Sequence, residues 1–317
     1  GKLNWWERVL SRFRGKIAIL KGGYSDEREI SLKTAENVEK ALEELGVNFV
    51  SIDCRDDFIT QLSKSNFDLC FNALHGEFGE DGQIQALLEK IGIRYTHSGV
   101  SASILAMNKV FSKEIFLKNK IPTPDYKIKD TNKINPSDIP IPSVVKPINN
   151  GSSVGVYIIL SESDKTNFLN ELSNWHYGKY LMIEEYIKGR ELTCGIINNK
   201  PTEIMEITSN NIFYDYETKY TEGMSKYEIP NNLPSELYKR IKDFTLHCHN
   251  LLGCKGVTRT DFRLEKTEDN IYRPFVLEIN TNPGLTKTSL IPKLAKKEGI
   301  SYKELIKLII QDALCQN

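Results

Sequence analysis

Two runs near the C-terminal end alternate cleanly between apolar and polar positions: Gly256-Val-Thr-Arg-Thr-Asp-Phe-Arg263 and Pro274-Phe-Val-Leu-Glu-Ile-Asn280. Both are rich in β-branched and aromatic residues, and the turn-forming Glu268-Asp269-Asn270 lies between them, so the pattern predicts an antiparallel hairpin. Because side chains alternate across a strand, Arg259 and Asp261 share one face, and Glu278 and Asn280 share one face of the partner. A turn centred near Asp269 and Asn270 sets Asp261 opposite Glu278 and Arg259 opposite Asn280. Phe275, Leu277 and Ile279 are expected on the other, apolar face, and Thr281-Asn-Pro-Gly284 follows as a fixed turn.

Upstream, Lys16-Ile-Ala-Ile-Leu20 has the continuous apolar character of a buried strand and runs into Gly22-Gly23, before an amphipathic helix from about Ser31 to Leu45. Strands at Val47–Asp53 and Phe67–Ala73, with a helix over Gln83–Ile91, complete the alternation of a parallel α/β sheet. Ser101–Asn119 reads as one helix carrying Lys109. The prolines of Ile121-Pro-Thr-Pro124 stop it and stiffen a connection, so a domain boundary is expected there.

Pro140–Pro147 and Val156–Leu160 read as strands, with Asn149-Asn-Gly-Ser-Ser-Val-Gly155 as their hairpin tip, and Leu181–Ile187 and Glu191–Ile197 as two more. From Asn210 to Lys226 the periodicity gives out around Phe213-Tyr-Asp-Tyr-Glu-Thr-Lys-Tyr220, a long polar and aromatic loop of the kind that forms lids. Helices are expected over Ser235–Leu252 and at the end, to about Ala313. At the start, Leu3 to Phe13 reads as a short amphipathic helix docked on the body, and Gly1 in place of methionine suggests a processed or cloned start.

At 317 residues the chain is long for one core, so two or three domains are expected. Its formal net charge of zero gives no whole-chain basic excess to hold nucleic acid or an anionic membrane. The six cysteines include no C-x-x-C pair, which fits free thiols in a reducing compartment. His247-Cys248-His249 reads as the core and surface of a helix rather than a zinc site, since neighbours on a helix point apart. No run is apolar enough to span a bilayer and none resembles a signal peptide, so a cytoplasmic protein is expected.

Two carboxylates and an amide oxygen converging on one hairpin face repel one another unless a cation sits between them. Hard oxygen donors without sulfur or imidazole suit magnesium, which completes its shell with waters and substrate phosphates. The face therefore reads as a magnesium–nucleotide patch, against the alternative of a plain solvent-facing hairpin. Parallel sheets bind ligands beyond the carboxyl ends of their strands, where Gly22–Glu29 and His75–Gly82 lie. Glu27 there reads equally as a helix-start acid or a ligand contact, and His75 as a turn residue or a proton-holding imidazole. Lys146, beside two valines and a proline, either snorkels at a strand end or is aimed at a ligand. The Gly151 loop reads as a phosphate cover or a surface turn; it is no Walker loop, and G-x-G-x-x-G is absent.

The order of these segments resembles the ATP-grasp enzymes and, within them, the D-alanine–D-alanine ligase family, over nearly the whole chain from Lys16 onward. The resemblance rests on Gly22-Gly-Tyr-Ser-Asp-Glu-Arg-Glu-Ile-Ser-Leu32, His75-Gly to Gly79-Glu-Asp-Gly82, Met107-Asn-Lys109, Val145-Lys-Pro147 and Gly151-Ser-Ser-Val-Gly155. It continues through Phe213–Tyr220, Gly253-Cys-Lys-Gly256, Arg259-Thr-Asp261 and Glu278-Ile-Asn-Thr-Asn-Pro-Gly284. It implies a mixed α/β ATP-grasp fold: an extension over 1–14, a Rossmann-like parallel-sheet domain over 15–107, a central α+β ATP-binding domain over 108–195 and a C-terminal α+β catalytic domain over 196–317. It also implies ligation of two D-alanines to D-alanyl-D-alanine through an acyl phosphate, for peptidoglycan precursors. ATP would be the co-substrate, with two magnesium ions (manganese as an alternative) and a homodimeric assembly.

By the same resemblance, Lys109 and Lys146 contact phosphates, and Gly151, Ser152 and Ser153 form the phosphate flap. Glu184 and the backbone through Ile187 meet adenine, and Glu191 meets the ribose. Asp261, Glu278 and Asn280 hold the metal. Glu27 binds the ammonium of the first D-alanine, with His75 hydrogen-bonded beside it, while Arg259 and the Gly284 N–H form an oxyanion hole. Lys219, Ser289 and Leu290 receive the second D-alanine, Lys219 also reaching the nucleotide, and Tyr220 bonds Ser152 and Glu27 to close the lid. Asn108, His97 and Asn282 depart from the family's usual aspartate, glycine and small residue. A ligase of D-alanine with D-lactate or D-serine is the first rival, opposed by the intact Lys219-Tyr220. Another ATP-grasp carboxylate–amine ligase would lack the set Glu27, His75 and Tyr220, and a non-catalytic nucleotide-binding module would have lost a metal ligand or Arg259.

Overall fold

The computed structural model describes residues 16–151, 153–209 and 225–315. The expected N-terminal helix and the aromatic loop around Phe213–Tyr220 lie outside them. Three sheets organise the described residues. The first is parallel, in the order β2-β1-β3, from β1 (Lys16–Lys21), β2 (Phe49–Asp53) and β3 (Phe67–Asn72). Helix α1 (Arg28–Leu45) buries Ile30, Thr34, Ala35, Val38, Ala41 and Leu42, the helical spacing of one apolar face, and stops at Gly46, whose φ of 70° most side chains avoid. Helices α2 (Phe58–Lys64) and α3 (Gln83–Ile91) follow β2 and β3.

The helix expected over Ser101–Asn119 is in fact two, α4 (Val100–Met107) and α5 (Lys109–Lys118). Asn108 breaks it: its backbone is extended, and its Oδ1 accepts from the N–H groups of Val110 and Phe111 at 3.0 and 3.1 Å. An asparagine thus caps as well as an aspartate would, and Lys109 becomes the first residue of a new helix.

The second sheet is antiparallel, β4-β7-β5-β6, from β4 (Tyr126–Asp130), β5 (Ser143–Pro147), β6 (Tyr157–Ile159) and β7 (Tyr180–Glu184). Helix α6 (Glu162–Glu171) covers it through Phe168, which packs with Val145, Ile159, Leu181 and Ile183. Strand β5 starts later than expected, since Pro140 and Pro142 bring no N–H to a ladder.

The third sheet is antiparallel, β10-β9-β8-β11-β12, from β8 (Arg190–Ile197), β9 (Lys200–Ser209), β10 (Ser225–Glu228), β11 (Thr258–Lys266) and β12 (Tyr272–Asn280). Helix α7 (Ser235–Leu251) packs on it, with Cys248 and His249 buried and His247 exposed, as a helix requires. Helices α8 (Leu290–Lys297) and α9 (Tyr302–Leu314) place Leu290, Leu294, Ile306 and Ile310 in one core with Ile17, Val38 and Phe71. That shared core holds the end of the β11–β12 hairpin against the first sheet. Five cysteines are buried and free, and Cys315 is exposed and free.

Candidate active site

The hairpin pairs in the register its sequence predicts, Arg259 against Asn280 and Asp261 against Glu278. A bulge then shifts the ladder between Asp261 and Phe262. The extra residue corrects the expected apolar face: Val276 and Ile279 enter the core, Phe275 is half-buried, and Leu277 turns to line the cleft beside Glu278. The cleft lies between the second and third sheets and gathers Lys109, Lys146, Ser153, Glu191, Asp261 and Glu278. Six residues spread over the chain from α5 to β12 meet there.

Cations already hold the carboxylates. Arg259 donates from Nε and Nη2 to Asp261 at 3.0 and 3.2 Å, and the Thr193 hydroxyl adds a bond of 2.8 Å to Asp261 Oδ1. Lys109 Nζ lies 3.5 Å from Glu278 and donates to the Asn150 carbonyl. Burial pushes the Lys109 pKa down, with Glu278 acting against it. Asn280 Oδ1 accepts from the Asn282 N–H at 3.0 Å, which aims its amide oxygen and turns the chain out of the strand. Among the described residues no three acids, histidines or cysteines gather as metal ligands. The donors at hand are two cross-strand carboxylates and one amide oxygen, a hard, partial set that fits magnesium completed by water and phosphate.

Next to Lys146, Glu184 lies fully buried between Lys113 and Lys146, 2.7 Å from each ammonium. Burial works against its charge, but Lys146 and Lys113 outweigh it and hold the carboxyl below its ordinary pKa. Arg263 donates to the Ile187 carbonyl at 3.0 Å and to Glu191 at 3.0 Å, joining two residues expected at the adenosine. Neither Lys113 nor Arg263 was expected in the site. Their signals were present: Lys113 is one helical turn after Lys109, and Arg263 continues the same-face alternation of Arg259 and Asp261.

Beyond the hairpin, Glu27 is 4% exposed, under the loop that begins at His75. Gly76 lets it approach, since a Cβ there would stand 2.7 Å from Glu27 Oε2 and φ is +77°. His75 is not bonded to Glu27. Its Nδ1 carries the proton, donating to the Asn282 carbonyl at 3.0 Å, and its Nε2 accepts from the Thr34 hydroxyl at 3.0 Å. Thr34 Oγ1 in turn accepts from the Leu285 N–H at 3.2 Å. The imidazole is therefore a clasp on the turn that contains Gly284, and burial lowers its pKa to about 4, so it is neutral. Glu80, bonded to the Gly76 N–H at 2.9 Å, is pushed well above its ordinary pKa by burial and then by the charges of Glu27 and Glu278.

Asn282 earns its amide: Nδ2 donates to the carbonyls of Asn72 and Leu74 at 3.1 and 2.7 Å, tying the turn to the first sheet. His97 has φ of 70°, a conformation glycine adopts without strain, and its buried ring stands edge-on to Phe71. Ser289 precedes α8, its hydroxyl 2.7 Å from that of Thr286, and Gly284 and Leu290 are buried beside it. Gly151 borders a second hollow with Glu27 and Gly76, and Asn150 lines both hollows, so the two ends of the site adjoin. Ser152, Lys219 and Tyr220 lie outside the described residues.

A family model described as the D-ala D-ala ligase C-terminus matches residues 117–311, and one described as the N-terminus matches 56–98. The chain is 44% identical over 301 residues to the D-alanine–D-alanine ligase of Wolbachia pipientis wMel, covering 94% of each. It is 40% identical over 308 residues to that of Sphingopyxis alaskensis, covering 96% of this chain and all of the relative. The crystal structure of the D-alanine–D-alanine ligase from Bacillus anthracis complexed with ATP superposes with a TM-score of 0.79 at 31% identity, covering 95% of this chain and 97% of that one.

Proposed function

Because the chain belongs to the D-alanine–D-alanine ligase family, we propose that it joins two D-alanines to D-alanyl-D-alanine, with ATP converted to ADP and phosphate. The observation that carries the reading is that Lys109, Lys146, Asp261 and Glu278 line one cleft. A carboxylate of D-alanine attacks the γ-phosphorus of ATP, ADP leaves, and an acyl phosphate forms. The amine of the second D-alanine attacks the acyl carbon; the C–N bond forms, the bond from carbon to the phosphate oxygen breaks, and phosphate leaves with the electron pair while the nitrogen loses a proton. Lys109 and Lys146 set positive charge along the transferring phosphoryl group. Arg259 and the Gly284 N–H accept the charge that gathers on the acyl oxygen, in a turn held by His75, Thr34 and Asn282.

Glu27 binds the ammonium of the first D-alanine, and Ser289 with Leu290 receives the second at the start of α8. Asp261, Glu278 and Asn280 would hold magnesium, which when bound neutralises phosphate charge as a Lewis acid. Glu184, Ile187 and Glu191 take the adenosine, and Gly151 to Ser153 cover the phosphates. Lys219 and Tyr220 complete the second substrate's site and the lid, keeping water from the acyl phosphate. We read three units, one per sheet, with ATP between the second and third, in a cytoplasmic homodimer. None of the helices of the described residues is long and apolar enough to cross a membrane.

The test is purified protein with ATP, magnesium and D-alanine. Dipeptide and phosphate are expected one for one, with L-alanine inert and D-lactate failing to compete as second substrate near neutral pH. Phosphate without dipeptide, or a D-lactate ester as the main product, would overturn the reading.

A further inference from the structure

Among the described residues, Lys113 is the least exposed lysine of the site, and no step above uses it. It is fully buried on α5, one turn after Lys109. Its ammonium donates to Thr123 Oγ1 at 2.9 Å and to the Pro124 carbonyl at 2.8 Å, and pairs with Glu184 Oε2 at 2.7 Å. The Thr123 hydroxyl is itself committed, donating to the Val276 carbonyl at 2.8 Å, so its lone pairs are turned to Lys113. The Tyr126 ring lies 5.5 Å away on a further side. This cation is fixed by two connections of the linker and cannot move to a phosphate without leaving both.

Glu184 Oε1 meets Lys146 at 2.7 Å. Lys146 reaches the cleft and is the cation that the nucleotide phosphates would draw on. When it turns to phosphate, Glu184 would stand in a buried site with one cation fewer, and an unpaired buried carboxyl takes up a proton. A protonated or rotated carboxyl no longer offers two fixed acceptor oxygens to an amino group on a purine. Resting on the reading that Glu184 faces the adenine, we propose that Lys113 is a positioning residue for purine recognition: it is the permanent counter-charge that keeps Glu184 ionised and oriented while Lys146 serves the phosphates. The discriminating feature of the ligand is the 6-amino group, a donor in adenine where hypoxanthine carries a 6-oxo acceptor that the carboxylate repels.

The experiment compares ATP and inosine triphosphate as co-substrates for wild type, Lys113→Met, Lys113→Arg, Thr123→Val and Glu184→Gln, with the thermal midpoint of each. For Lys113→Met the KM for ATP should rise on the order of tenfold or more while kcat at saturating ATP changes far less, and the preference for ATP over inosine triphosphate should fall by a similar factor. Lys113→Arg should retain much of that preference. Thr123→Val keeps the charge but loosens its anchor, so it should shift the preference the same way by a smaller factor, and it serves if Lys113→Met does not fold. Equal losses for both nucleotides in Lys113→Met and Thr123→Val would overturn the proposal. Glu184→Gln separates the two levels: if it too keeps the wild-type preference, the assignment of Glu184 to the purine falls, whereas its loss there with retention in the Lys113 and Thr123 variants overturns only the role of Lys113.

Discussion

Asp261 and Glu278 are cross-strand partners whose carboxylates are held by different cations, Arg259 on Asp261 at 3.0 Å and Lys109 on Glu278 at 3.5 Å. Two acids set face to face on one sheet are tolerated because each charge is answered from its own side. Glu278→Gln removes one charge with almost no change of shape. Turnover should fall on the order of a thousandfold, since a Lewis acid at a transferring phosphate is worth several kcal/mol. The thermal midpoint should move little, because the Glu278 side chain is 21% exposed and lies outside the core. Initial rates and a melting curve on the same preparation check both.

On the proposed function, Arg263 acts on the nucleotide at one remove. Its guanidinium joins the Ile187 carbonyl and Glu191 in one arrangement, at 3.0 Å each, while 5% exposed. Arg263→Met should raise the KM for ATP on the order of tenfold, the scale of one charged hydrogen bond, and lower the melting midpoint. The KM for D-alanine should stay within about twofold.

Gly76→Ala tests the floor of the site proposed for the first D-alanine. A Cβ would sit 2.7 Å from Glu27 Oε2 and 3.0 Å from Ser25 Oγ, in a backbone with φ of +77° that alanine resists. Glu27 must shift, so the KM for D-alanine at the first position should rise about tenfold or more, with the KM for ATP little changed.

Stability should fall with acid from about pH 6.5, because three buried histidines outnumber Glu80, the acid that burial shifts the opposite way. His75 and His249 are lowered by burial to about 4 and His97 to about 3, from an ordinary value of 6.5. Between those values the unfolded chain binds protons that the folded chain refuses, so unfolding free energy rises with pH through this window and is lost as pH falls from about 6.5 towards 4. Each histidine contributes a slope of up to about 1.4 kcal/mol per pH unit. Denaturant midpoints at pH 7, 6, 5 and 4.5 should descend steadily, and Asp53, held down at about 2 by Arg28, adds its own loss only at lower pH.

What the chain disclosed about itself depended on range. The register of Asp261 with Glu278 was legible because period-two alternation and a turn fix it locally. The bulge that turns Leu277 into the cleft was not, since one extra residue leaves no mark on composition. The break at Asn108 was readable as a capping residue in an otherwise helical run, but the apolar pattern continues across it. Strand β4 escaped notice because Lys127 and Lys129 fill its outer positions. The clasp from His75 to Asn282 spans 207 residues, and no local rule gives the partner of a buried imidazole at that distance. Lys113 and Arg263 carry only the weak marks of helical and strand spacing from Lys109 and Asp261; folding is what sets them against Glu184 and Glu191.

The most direct test of the chemistry assigned to the cleft follows one oxygen. D-Alanine labelled with ¹⁸O in both carboxylate positions is incubated with ATP, magnesium and the protein, and the released phosphate is analysed by mass. Attack by the carboxylate on the γ-phosphorus predicts one ¹⁸O in each phosphate released with dipeptide, the other remaining in the peptide bond. Unlabelled phosphate accompanying dipeptide would contradict an acyl phosphate formed between Lys109, Lys146 and the Asp261–Glu278 pair.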